Sequence, residues 1–245
     1  MDEPARQNTP NEEKPESLWI NLLFNIIIPA VILTTLGKPD RLGPIWALTI
    51  GVSLPLGYGI YDLYVRQKWN FFSILGLVSV LLTGGLGLLG ISPFWFAVKE
   101  AAIPLMFGLA VLGSLYTPFP LVRTFLYNKK LIDVARVEAE LDRRSHHDTF
   151  DRLLLTSTCL LASAFFLSAA LNFSLARAII RSPGGTPEFT AELGKMMALS
   201  WPVITIPVMV VMVVALWRLI RGIKRMTGLE IEEILRTPPE KKKSG

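Results

Sequence analysis

The feature that most restricts this chain is the recurrence of nearly charge-free apolar runs about as long as a bilayer is thick. Roughly 20 residues of α-helix cross a hydrocarbon core of about 30 Å. Hydrocarbon supplies no water to satisfy backbone N–H and C=O groups, so each run must close its own hydrogen bonds as a helix. Apolar residues make up 51% of the 245 and charged residues 18%, more apolar surface than a soluble domain of this length can hide. The sequence predicts an all-α, polytopic membrane helix bundle.

Six spans are expected. Residues 18–36 form the first, ending at GKPDRLGP; residues 45–65 form the second, expected to be interrupted by Pro55 and the glycines of GYGIYDLY and to end at Arg66, Gln67 and Lys68. Residues 71–89 are glycine-rich, and Gly76, Gly84, Gly85 and Gly87 would admit a close neighbour. The short ISPF turn opens the fourth span, residues 94–116, expected to break at Pro104. Short turns place these four helices side by side and antiparallel. Residues 153–180 and about 191–220 form the fifth and sixth spans, joined by the loop RSPGGTPEFT, and the sixth closes on WRLIRGIKR, a tryptophan with basic anchors.

The chain thus divides into a polar, disordered tail (1–17), spans 1–4 (18–116), a charged linker (117–152), spans 5–6 (153–221) and a basic tail (222–245). In the linker, Leu131, Val134, Ala135, Val137 and Leu141 recur at helical spacing, which predicts an amphipathic helix on the membrane surface or packed against it. Lys129, Lys130, Arg136, Arg143 and Arg144 are available to anionic headgroups there. The acidic residues from Glu138 to Asp151 leave a merely solvated tether as the alternative.

Orientation follows from the positive charges. Two precede the first span, two follow the second, seven lie in the linker and eight follow residue 217, so 19 of the 25 fall on one side. Both termini are therefore expected in the cytoplasm. The net charge of +5 is carried by residues that flank apolar runs, which points to membrane lipids as partners and not to nucleic acid.

The six remaining cations include Lys99 and Lys195, about a turn and a half inside their helices, and a charge at membrane depth is either paired, solvated or functional. Snorkelling of each lysine to the headgroups is the plainer alternative. Their contexts, FWFAVKEAAIP and EFTAELGKMMALSWP, are alike, and Arg177 and Asn172 approach from the fifth span. A shared cationic, ligand-binding cavity of Lys99, Glu100, Asn172, Arg177 and Lys195 is the expectation. Asp62, with Asn21 and Asn25 at similar depth, is either a proton-coupling group or a surface partner of Arg66 at i,i+4.

Other chemistry is not indicated. His146 and His147 are adjacent, hence about 100° apart on a helix and poorly placed to share a metal. GGLG follows no strand, there is no phosphate-binding lysine loop and no nucleophile elbow, so neither an enzyme nor a cofactor is expected. Cys159, a lone cysteine in an apolar run, is expected as a buried small residue.

Three stretches carry a family resemblance: GIYDLYVRQKWNFFSILGLVSVLLTGGLGLL, FWFAVKEAAIPLMFGLAVLGSLYTPFPLVRTFLYN, and FFLSAALNFSLARAIIRSP followed by EFTAELGKMM. In these the chain resembles the bacterial intracellular septation protein A family of inner-membrane proteins. Lys99, Asn172 and Lys195 fall where that family places similar polar residues. The linker and the N-terminal tail are longer here. The resemblance implies a bacterial inner-membrane location and a role in cell-envelope synthesis or septation, with division or envelope-synthesis proteins as partners.

The charge distribution generates a direct test. With Cys159 replaced, single cysteines at Gly185 and Asp40 should react with an impermeant thiol reagent added outside intact cells. A cysteine replacing Arg144 should stay unlabelled, and its labelling would reverse the orientation.

Overall fold

The computed structural model describes residues 23–66, 71–117, 121–122, 126–127 and 132–235. Among these the chain is helical, with one antiparallel bridge, Ile132 to Leu235, as its single β pairing. A π-turn, Leu23–Ile27, leads into α1, Ile28–Leu36; α2 is Gly43–Arg66, α3 is Phe71–Leu88 and α4 is Pro93–Gly113, followed by a 3-10 turn, Ser114–Tyr116. Next come α5, Val134–Arg144, and α6, His147–Ile179. A single rod then comprises α7, Pro187–Ser200, a second π-turn, Trp201–Thr205, and α8, Ile206–Thr227; α9 is Ile231–Ile234.

Four stretches are long and apolar enough to cross a membrane: Gly43–Tyr61, Pro93–Tyr116, His147–Ile179 and Pro187–Thr227. Their outward faces are apolar too. On α8, Ile206, Met209, Val210, Val213, Val214 and Trp217 form one exposed stripe at helical spacing, and Leu105, Met106 and Leu109 do the same on α4. Such continuous apolar surface is stable against lipid and unstable in water. Several hydroxyls within the helices are satisfied locally: Thr49, Ser53, Thr158 and Ser200 each donate to the carbonyl four residues earlier. This is the build of an integral, multi-pass membrane protein.

The core is strung along α6. Phe150 and Leu154 join a cluster with Val137 and Leu141 of α5, Leu219 and Ile223 of α8 and Ile234 of α9. Leu161 and Ala162 meet Val111 of α4, and Leu175 and Ala176 meet Phe96, Phe189 and Leu193 near the other end. At 1.5 Å per residue, α6 is about 50 Å long, so it outruns a hydrocarbon core of about 30 Å.

Several expectations need correction. The loop after α6 ends earlier than expected, because the Thr186 hydroxyl accepts from Phe189 N and starts α7 with Pro187 at its first turn. Likewise α6 starts within the linker, at His147. Pro104 and Pro55 do not break their helices; each removes one ladder hydrogen bond, and packing on α6 and α3 holds the rest. Distortion appears instead as the π-turns preceding Pro29 and around Pro202 and Pro207. Short connection did not make α3 and α4 packed neighbours: α4 lies along α6, while α3 lies along α2. Cys159 is exposed, because its side of α6 faces neither α4 nor α8.

Within residues 117–152 a helix forms at α5, Val134–Arg144. Asp133 caps it by accepting from Arg136 N, and Ser145 ends it in the left-handed conformation at φ 54°. Its apolar face is taken up by protein: Val137 and Leu141 are buried on α6, α8 and α9. Asp133 N donates to Ile234 O at 2.8 Å, and His146 Nδ1 lies 2.9 Å from Met226 O. Leu131, Lys129 and Lys130 lie outside the described residues.

Close helix approach at glycine generates the second test. A Cβ on Gly194 of α7 would lie 2.7 Å from Thr34 Cγ2 and 2.8 Å from the Ala30 carbonyl of α1, whereas one on Gly57 meets nothing within 4 Å. Gly194→Ala should destabilise the protein by about 1–3 kcal/mol in detergent melting, whereas Gly57→Ala should leave stability unchanged or raise it by up to about 1 kcal/mol. Equal melting of both variants would contradict the α1–α7 crossing.

Candidate functional site

Lys99 stands six residues into α4, about 9 Å from the helix start at 1.5 Å per residue. The start itself is fixed by Pro93, whose missing N–H is an orphan position anyway. Lys99 is 10% exposed and Glu100 17%, and the Lys99 ammonium lies 2.8 Å from Glu100 Oε1. It also donates to the Thr83 hydroxyl on α3, and Thr83 passes the polarity on by donating to Ser79 O at 2.9 Å. The Phe96 ring lies 5.7 Å beneath the ammonium. That ring is held edge-on by Phe189 of α7 at 5.5 Å.

The site is therefore a junction of α3, α4 and α7. Adjacent residues on a helix point about 100° apart, yet both side chains are long enough to converge on one point. Pairing halves the problem of burial: an isolated ammonium in hydrocarbon is far more costly than a neutral pair with further hydrogen bonds. Pro104 adds a polar group, because it has no N–H to bond the carbonyl four residues earlier, which is that of Glu100.

The other expected ligand residues lie at the same end of the bundle but are differently engaged. Asn172 donates to Ser168 O at 2.8 Å within α6. Arg177 is exposed and lies over the Phe94 ring at 5.9 Å. Lys195 is exposed on α7. No hydrogen bond or ion pair joins Lys99, Asn172, Arg177 and Lys195 to one another among the described residues; the structure brings together Lys99, Glu100 and Thr83. Asn21 lies outside the described residues, as do the side chains of Asn25 and Asp62.

Two contributors were not singled out from sequence. Thr83 reads as one hydroxyl in a glycine-rich span, and only the α3–α4 contact shows its role. Glu192 of α7 closes the loop after α6, accepting from Arg181 N at 2.9 Å and Ser182 N at 3.0 Å. Its carboxylate is thereby engaged one turn from Lys195. No group of three or more metal-ligating side chains occurs among the described residues. His146 and His147 bond separately, the latter to Asp142 Oδ1 at 2.6 Å.

The ion pair predicts non-additive mutational effects. Lys99→Met and Glu100→Gln should each lower melting stability by about 1–3 kcal/mol, and the double variant should recover on the order of 1 kcal/mol of the summed loss. Strict additivity would show that the two groups do not interact in the membrane.

Comparison with known proteins leaves this site to be argued from its own geometry: no family model, no curated protein and no solved structure matches the chain.

Proposed function

We propose that this is a bacterial inner-membrane protein of the cell envelope, six-spanning with both termini cytoplasmic, that binds or moves an anionic lipid headgroup or small anion at the Lys99 junction. The observation that carries the reading is the Lys99 ammonium itself, mostly enclosed between membrane helices with Glu100 as its counter-ion. Glu100 acts as the resident anion, and an incoming anion competes with it for Lys99 and Thr83. Arg177 and Lys195, exposed at the same end of the bundle, draw anions toward that junction. The π-turn within the α7–α8 rod supplies a place where the rod can flex beside the site. The septation resemblance supplies the envelope setting, and no catalytic step is assigned.

The second reading is a non-transporting scaffold for envelope-synthesis or division proteins. One observation favours it: α5 and α9 pack with the N-terminal end of α6 and the C-terminal end of α8 into one buried cluster, a built surface at one end of the bundle.

Reconstituted vesicles separate the two. Uptake of inorganic phosphate and transbilayer movement of fluorescently labelled phosphatidylglycerol should be measured for the wild type, Lys99→Gln and Glu100→Gln. The transport reading expects at least one activity above protein-free vesicles, lowered about ten-fold by Lys99→Gln, the equivalent of roughly 1.4 kcal/mol. Activity indistinguishable from protein-free vesicles in both assays would leave the scaffold.

A further inference from the structure

A second cationic site lies at the opposite end of the bundle. Arg218, Arg221 and Arg225, with Trp217 and Gly222, line one side of an open cleft of about 320 Å³, and Leu153 of α6 forms the other. Gly222 lets Leu153 of α6 come close against α8, since a Cβ there would collide with Leu153 Cδ2. The Arg221 guanidinium stacks over the Trp217 ring at 4.9 Å.

Charge pairing distinguishes these arginines from their neighbours. At the same end of the molecule Arg136 pairs with Glu233, Arg143 and Arg144 pair with Glu140, and Lys224 pairs with Glu230. Among the described residues no carboxylate pairs with Arg218, Arg221 or Arg225. Three guanidiniums thus face a cleft without a counter-ion, and guanidinium is the side chain best matched to phosphate oxygens.

The apolar surface identifies the source of the phosphate. The exposed stripe of α8 from Ile206 to Trp217 runs directly into the cleft, because Arg221 and Arg225 continue the same helical face. Its eleven-residue rise is about 16 Å, half of a hydrocarbon core of about 30 Å. An acyl chain lying on that stripe places its headgroup among the arginines, with Trp217 at the interface. The arginines span seven residues, about 10 Å along the axis, so the set suits two phosphate groups better than one.

We propose that this cleft binds a membrane lipid bearing two phosphates, of the diphosphatidylglycerol class. The proposal rests on α8 crossing the membrane and not on any activity of Lys99. Native mass spectrometry of the full chain in detergent should be run with cardiolipin, with phosphatidylglycerol, and with cardiolipin in competition with inorganic pyrophosphate. Cardiolipin should bind at least about ten-fold more tightly than phosphatidylglycerol. That preference should disappear in Arg218→Gln/Arg221→Gln/Arg225→Gln and persist in Arg136→Gln/Arg143→Gln/Arg144→Gln, which removes equal charge from the same end. Equal binding of the two lipids, or equal loss in both triple variants, would overturn the proposal. Displacement of cardiolipin by pyrophosphate at matching concentration would reassign the cleft to a soluble anion. Unchanged melting of the first triple variant separates lost binding from lost folding.

Discussion

The second half of the bundle is built around α6, because it is the helix against which α4, α7 and α8 all pack, while α1 joins through α7 and α3 through α2. In a membrane, apolar residues gain little by leaving lipid for protein, so helices associate through close packing and shared polar contacts. The α4–α6 contact shows the means: Gly108 lets the Phe166 ring lie where a Cβ would be 2.9 Å away, and Phe107 stacks on Phe165 at 5.4 Å. Toward its N-terminus the same helix joins a second cluster, in which Val137, Leu141, Leu219, Ile223 and Ile234 of α5, α8 and α9 are buried around Phe150 and Leu154. One rod thereby links two clusters.

The polar groups obey the same division. Deep in the bundle, charge appears as a pair with a hydroxyl and an aromatic face around it, a grouping whose net charge is zero. At the α8 end, Arg218, Arg221 and Arg225 have no carboxylate partner among the described residues and lie past the end of an apolar stripe. The first arrangement ties α3 to α4 where their backbones barely touch; the second addresses the molecule's surroundings. Glu192 belongs to neither, since it is engaged by the backbone of the loop after α6.

Much of the fold was legible because hydropathy and turn residues act locally. The spans at α2 and α4, the ISPF turn and the periodicity of Val134, Val137 and Leu141 all declare themselves without knowledge of neighbours. What sequence could not supply was the rotation of each helix. Lys99 and Lys195 sit in similar contexts, yet one is enclosed by α3 and the other is exposed, and a fraction of a helical turn decides between them. Cys159 emerged on an exposed face for the same reason. The early start of α6 is hidden in the sequence because its first turn, HDTFDR, is polar, and hydropathy marks only the apolar part of a helix. Pro104 does not break α4, since proline removes one hydrogen bond and packing on α6 carries the helix through.

Glu100 holds the Lys99 ammonium within the bundle, an arrangement distinct from snorkelling to the headgroups. Solid-state NMR in lipid bilayers measures this directly, through dipolar coupling between a labelled Lys99 Nζ and the Glu100 carboxylate carbon, and between Nζ and lipid phosphorus. The 2.8 Å contact to Glu100 Oε1 predicts clear nitrogen–carbon coupling and no coupling to phosphorus. Strong coupling to phosphorus without coupling to Glu100 would contradict it.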